Sequence, residues 1–206
     1  MSQRPSKNRR EPRENSNRRE ARENRHAPAE VVPARLSEAD FFEQLEQGMP
    51  KAALVLVLDE VTDPHNLGAC LRSANAAGAI AVLTPKNNSA KVTETVSRIS
   101  CGAAEVTPVV QVTNLARAMK RLQEAGFWLV GTDDSGDEML FDMDLTGPIG
   151  IVSGAEGTGL RRLTREGCDH LAQIPMSGTV ECLNVSVATG VCLFEVVRQR
   201  RAKSKK

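Results

Sequence analysis

Residues 175–190 read Pro-Met-Ser-Gly-Thr-Val-Glu-Cys-Leu-Asn-Val-Ser-Val-Ala-Thr-Gly. A proline and a glycine mark the first half as a loop, and Asn184 is a good cap for a helix that starts directly after it. Beyond the cap, Val185, Val187, Ala188, Val191, Cys192, Phe194, Val196 and Val197 leave almost no face of that helix polar. A helix this apolar needs cover on two sides. One side is expected against its own domain and the other against a second subunit. Taken alone, the stretch also reads as an ordinary core helix after a loop.

Two stretches further upstream belong with it. At 149–159 the chain reads Ile-Gly-Ile-Val-Ser-Gly-Ala-Glu-Gly-Thr-Gly, a short apolar strand running into a glycine-rich turn. At 61–72 it reads Val-Thr-Asp-Pro-His-Asn-Leu-Gly-Ala-Cys-Leu-Arg. In this order the three stretches resemble the signature motifs of the SpoU (TrmH-type) RNA ribose 2′-O-methyltransferases. The resemblance covers roughly residues 53–200 and leans to the bacterial branch that methylates a guanosine ribose in 23S ribosomal RNA.

The pattern between the motifs points to fold class by itself. The run Ala-Leu-Val-Leu-Val-Leu at 53–58 is apolar throughout, as in a strand buried on both faces of a parallel sheet. Helices are expected at 67–77, 91–100, 115–124 and 160–168, and strands at 79–83, 106–110, 127–132, 149–153 and 171–174. A polar loop separates 132 from 149. Ahead of them, 36–46 reads as a short amphipathic helix capped by Ser37, with Asp40 in the capping-box position. The alternation predicts an α/β fold with a mainly parallel sheet flanked by helices. A dinucleotide-binding domain would carry Gly-x-Gly-x-x-Gly after the first strand, but Asp-Glu-Val-Thr-Asp-Pro-His-Asn-Leu-Gly stands there, which disfavours a Rossmann dehydrogenase. The resemblance adds that the last third of the chain is threaded as a deep trefoil knot forming the S-adenosylmethionine pocket.

The 206 residues carry a net charge of +1, unevenly spread. Residues 1–35 hold ten Lys or Arg against five Glu, a net of +5 that leaves the remainder at −4. So basic and apolar-poor an arm cannot bury enough to fold alone, and it reads as a disordered RNA-binding arm. The expected organisation is this arm, a short helix and linker at 36–52, the methyltransferase domain at 53–200, and a basic tail at 201–206. No secretory segment or membrane span is expected. The five cysteines are odd in number and form no Cys-x-x-Cys pair, which suggests reduced thiols, a cytoplasmic setting and no metal. With five Phe, one Trp and no Tyr, base-stacking platforms are not expected.

The resemblance implies roles for particular residues. Arg72 matches the family's catalytic arginine, held in family accounts to take the 2′-hydroxyl proton. A guanidinium rarely gives up its own proton, so stabilising the developing oxyanion is the role we expect. Asn66 is expected at the ribose or a neighbouring backbone group, and Glu156 as an acceptor fixing either the turn or Arg72. Asn184 carries over as a polar group of the active site. Gly154, Ile174 and Leu183 carry over as cofactor contacts, with Met176 and Thr132 beside them. Cys182 stands where the family has serine; if that serine holds the arginine, cysteine would weaken the grip. His65, in an Asp-Pro-His-Asn turn, reads as structural. The ribosomal members carry a separate RNA-binding domain ahead of the catalytic one, where this sequence shows the arm, so tRNA remains an alternative substrate to rRNA. A non-catalytic RNA-binding assembly factor of the same fold is the competing class.

Overall fold

The structure is a computed structural model and describes residues 36–204. The expected basic arm at 1–35 and the last two residues of the expected tail lie outside the described residues. Among the described residues there are seven strands: β1 (Leu54–Leu58), β2 (Ala81–Pro85), β3 (Val109–Val112), β4 (Trp128–Thr132), β5 (Glu138–Met139), β6 (Ile149–Ser153) and β7 (His170–Gln173). The helices are α1 (Glu38–Gln47), α2 (Pro64–Ala77), α3 (Glu94–Ser100), α4 (Ala103–Val106), α5 (Leu115–Glu124), α6 (Arg162–Glu166) and α7 (Val185–Lys203). The strands form one sheet in the order β3-β2-β1-β6-β4-β7-β5, and every pairing is parallel.

Strand β1 is the axis of the molecule. All five of its residues are buried, and its alternation divides the core in two. Leu54, Leu56 and Leu58 pack with Leu67, Cys70 and Leu71 of α2 and Cys192, Leu193 and Val196 of α7. Val55 and Val57 face Phe41, Phe42 and Leu45 of α1 and Leu115, Met119 and Leu122 of α5. Each fully buried aliphatic side chain here contributes roughly 1.5–3 kcal/mol. Helices thus cover both faces of the sheet.

Local chemistry starts and stops these helices. Ser37 caps α1 through its Oγ, which accepts from the Asp40 amide at 3.1 Å. Asn114 caps α5, accepting from the Arg117 amide at 3.0 Å. Helix α2 begins at Pro64, three residues before the expected start. Asp63 accepts from the His65 amide at 2.9 Å, and proline is suited to the first helical position because its missing N–H would be unpaired there anyway. Asn66 therefore lies in the first turn of the helix.

Other boundaries moved as well. The expected strand at 106–110 starts at Val109, because 103–106 forms a turn of helix that leaves Val106 66% exposed. The strand expected at 79–83 lies two residues later. Helix α3 starts three residues after its expected position, and α6 is shorter at both ends, because Arg161 is still extended. The polar loop after β4 contains β5 and a 3-10 turn over Leu140–Asp142. Gln199 of α7 holds the rest of it, donating to the Met143 carbonyl and accepting from the Leu145 amide, at 2.9 and 2.8 Å, and Gln199 is itself bonded to Glu195 at 2.8 Å.

Among the described residues, helix α7 is covered on one side only. Val185, Thr189, Cys192, Leu193 and Val196 are buried, while Val187 and Phe194, on the opposite side, are about half exposed. Among the described residues, no helix is long and apolar enough to cross a membrane.

Candidate functional site

The chain builds β1, β2 and β3 outward in one direction, then returns to the other side of β1, where β6 inserts between β1 and β4. Such a reversal opens a crevice at the carboxyl ends of the strands, where parallel α/β sheets bind ligands. A cavity of about 380 Å³ lies there. Its walls come from the end of β4 (Thr132 to Ser135), the turn from Gly154 to Leu160, and the chain leading into α7 (Ile174, Met176, Glu181, Cys182, Leu183). All five expected cofactor contacts, Gly154, Ile174, Met176, Leu183 and Thr132, line this one cavity, although they are spread over four separate pieces of sequence.

Gly154 is indispensable to its shape. A Cβ on Gly154 would stand 2.1 Å from the carbonyl carbon of Gly159 and 2.4 Å from the Leu160 nitrogen. Both are backbone, so neither can swing aside. The turn closes on itself through paired backbone bonds between Ala155 and Gly159, at 3.1 and 2.9 Å, with Gly157 and Gly159 in the left-handed region.

The far end of the turn is bolted to β1. Asp59, fully buried, accepts from the Arg161 amide at 3.0 Å and from its Nε at 2.7 Å. Arg161 Nη1 donates to Glu60 at 3.0 Å. The bond to Asp59, above all, raises the Arg161 pKa further. On the β4 side Asp133 accepts from Ser135 and from Arg165 Nε, the latter at 2.8 Å. Burial pushes the Asp133 carboxyl up, but these bonds outweigh it and hold it below the usual carboxylate range. Neither clamp was anticipated. The one signal for Asp59 is a carboxylate directly after an all-apolar strand.

At the mouth of the cavity three expected residues meet. Asn66 Nδ2 donates to Glu156 Oε2 at 3.0 Å, and Asn184 Nδ2 donates to Asn66 Oδ1 at 3.0 Å and to Glu156 Oε2 at 3.3 Å. Asn184 Oδ1 meanwhile caps α7, accepting from the Ser186 amide at 2.9 Å and its hydroxyl at 2.6 Å. Glu156 Oε1 has no hydrogen bond among the described residues. Glu156 thereby ties the turn to the starts of α2 and α7, and among the described residues it makes no bond to Arg72.

Arg72 stands six residues beyond Asn66 on α2, exposed, with no hydrogen bond or ion pair among the described residues. Cys182 is exposed on the cavity wall, and among the described residues it makes no bond to Arg72. His65 is exposed, and its backbone amide donates to the Asp63 carboxylate at 2.9 Å.

The lining has the chemistry of a nucleoside site with a cationic partner. Leu160, Ala172, Ile174, Leu183, Val185 and Ala188 offer aliphatic surface for a purine, while the carboxylates of Asp133, Asp134, Glu156 and Glu181 favour positive charge. Among the described residues, no group of three or more His, Cys, Asp or Glu side chains is placed to hold a metal ion.

Comparison with known proteins agrees with this geometry. The model of the SpoU rRNA Methylase family matches residues 53–194. The chain is 56% identical over 175 residues to the 23S rRNA (guanosine-2′-O-)-methyltransferase RlmB of Pseudomonas putida, covering 85% of this chain and 71% of that protein. It is 59% identical over 175 residues to the protein of the same name from Vibrio cholerae, covering 84% and 70%. Among solved structures, the SpoU methyltransferase AviRb of Streptomyces viridochromogenes in complex with the cofactor AdoMet superposes with a TM-score of 0.69 at 34% identity, covering 75% of this chain and 60% of that one. The A. aeolicus TrmH/SpoU tRNA modifying enzyme gives 0.68 at 28% identity, covering 81% and 86%.

Proposed function

The chain belongs to the SpoU rRNA methylase family, and from that premise we propose that it is an S-adenosylmethionine-dependent RNA ribose 2′-O-methyltransferase acting on a guanosine of 23S rRNA. The observation that carries the reading is the junction of Asn66, Glu156 and Asn184 at the mouth of the acid-lined cavity. The tRNA alternative has no comparable support: the tRNA modifying enzyme shares half the identity of the rRNA relatives.

The cavity fits the cofactor, with aliphatic walls for the adenine, the Gly154 turn close against it, and the carboxylates of Asp134, Glu156 and Glu181 in its lining to favour a cation. When bound, the cofactor supplies a methyl group activated by its sulfonium. The residues of the chain do the rest. Ile174, Leu183 and Leu160 keep water from the reacting centre. Asn66 and Asn184 hold Glu156 through Oε2, leaving Oε1 to accept the proton of a ribose hydroxyl. Arg72 supplies a fork of donors to the developing oxyanion, where such groups act most strongly. Holding the hydroxyl in line with the methyl group lowers the barrier by proximity alone.

Three further readings belong to this proposal. The segment from β7 to α7 is the threaded part of a trefoil knot, supported by its sharing one cavity with the 132–135 and 154–160 segments. The active unit is a homodimer, supported by the exposed Val187 and Phe194 opposite the buried side of α7. The enzyme works in the cytoplasm, where ribosomes and reduced thiols are found, and its five cysteines are all free.

Mapping ribose methylation on 23S rRNA from a deletion strain tests the activity. One guanosine should lose its methyl group and regain it on complementation; an unchanged map would refute the reading. Cys182→Ser should methylate at the parent rate, since Cys182 has no hydrogen bond to lose. A several-fold change in kcat would show that position 182 does touch the chemistry. Removing residues 1–35, with their net charge of +5, should weaken RNA affinity and flatten its dependence on salt. The same slope with and without the arm would show that it makes no phosphate contacts.

A further inference from the structure

A second cavity, of about 460 Å³, opens on the same carboxyl edge of the sheet. Its walls are the ends of β2 and β3 (Pro85, Asn87, Thr113), the start of α5 (Leu115, Ala116) and the segment Arg161 to Thr164. The two cavities therefore share a partition: residues 154–160 face the first, and 161–164 face the second. We propose that this second cavity receives an unpaired nucleobase of the substrate RNA, from the same strand as the methylated ribose. The inference rests on the RNA methyltransferase reading above.

Four observations carry it. The volume lies within the range of small-molecule sites, roughly 300–1,000 Å³. The lining includes aliphatic surface from Pro85, Ala116 and the 58%-exposed Leu163, which suits the flat face of a base. The lining also carries amide and hydroxyl groups suited to its edge. Of these, Asn87 and Thr113 have side chains with no hydrogen bond among the described residues, and each can donate and accept. Finally, Lys86 and Lys91 flank the loop that carries Asn87. Both are exposed and make no ion pair among the described residues, so they are available to phosphates.

Two of the lining residues, Asn88 and Arg161, are held by hydrogen bonds. Arg161 binds Asp59 and Glu60, and Glu60 accepts from Asn88 Nδ2 at 3.2 Å. Glu60 and Asn88 both have left-handed backbones, at φ 56° and 55°, a conformation that persists outside glycine when the surroundings impose it and that clusters at functional sites. This bonded set joins the second cavity to the partition that closes the first. Sequence-specific RNA recognition favours splayed-out bases of this kind. A base seated here would set the register of the strand relative to Asn66 and Glu156.

Two variants test the proposal on the full chain, with in vitro transcribed 23S rRNA as the probe. Asn87→Ala removes one edge contact from an exposed loop and should weaken RNA binding by roughly threefold to tenfold. Leu163→Glu puts a carboxylate at the mouth of the cavity and should weaken it by about tenfold or more. In both, S-adenosylmethionine affinity by calorimetry should stay at the parent value, and the KM for RNA should rise more than kcat falls. RNA substituted with 4-thiouridine should crosslink to peptides containing residues 85–88 or 113–116. If both variants bind RNA like the parent and no crosslink maps to these peptides, the cavity holds no base. Failure of the parent itself to bind or methylate RNA would instead overturn the reading on which the proposal rests.

Discussion

Replacing Arg72 with alanine is expected to slow methyl transfer by roughly 100-fold or more, the scale at which a lost oxyanion donor acts, and to leave S-adenosylmethionine affinity unchanged. The two halves of this result have separate structural reasons. Arg72 is an exposed cation on α2 with no partner among the described residues, so its removal costs the fold almost nothing. It is also absent from the cavity wall, so the cofactor should not register the change. Arg72→Lys should recover little, because a compact ammonium does not reproduce the planar fork of donors. Single-turnover methylation beside calorimetry separates the effects. A fully active Arg72→Ala protein would remove arginine from the mechanism and leave the Asn66, Glu156 and Asn184 junction to account for the chemistry.

Gly154→Ala is expected to abolish cofactor binding, with an affinity loss of about 100-fold or more and a stability loss of roughly 1–3 kcal/mol from overpacking. The cause is steric rather than conformational. Gly154 does not have a left-handed backbone; it meets Gly159 and Leu160 backbone atoms at distances no Cβ can share. The Ala155–Gly159 closure must open to admit the methyl group, and with it goes the wall of the cavity. Asp59 should still hold Arg161, so the damage stops at the turn and the sheet remains folded. Calorimetry and thermal unfolding on one sample decide the matter. Parent-like cofactor binding by Gly154→Ala would mean that the turn does not form the cavity wall.

The elements whose physics is local were legible in the sequence. Strand β6 and helix α5 fell on their expected residues, because an apolar run after a proline and an asparagine cap before an amphipathic stretch are complete signals within a few residues. Helix α4 and strand β5 were not, since four- and two-residue elements owe their form to neighbours distant in sequence. The Asp59–Arg161 clamp joins positions 102 apart, and nothing in either neighbourhood announces the other. The site shows the same division. Asn66, Glu156 and Asn184 were found through family resemblance, whereas the bonds that join them span 90 and 118 residues and needed the fold. Val187 and Phe194 were read as part of an all-round apolar helix, and the fold shows that they form the side opposite the core.

Asn184 serves two structures with two atoms. Its oxygen starts the 19-residue helix α7, and its nitrogen closes the junction with Asn66 and Glu156. Because the oxygen is committed to Ser186, the amide cannot flip without uncapping the helix. The donor offered to Glu156 is thereby pinned by the longest helix of the described chain. The position also sets a narrow tolerance. Aspartate caps helices as well as asparagine does, so it would leave α7 intact while placing a second carboxylate against Glu156, and two such groups disfavour each other's charge. A single-atom exchange thus separates scaffold from chemistry, and a lineage that kept the helix but had no further use for the reaction could drift through that exchange without unfolding.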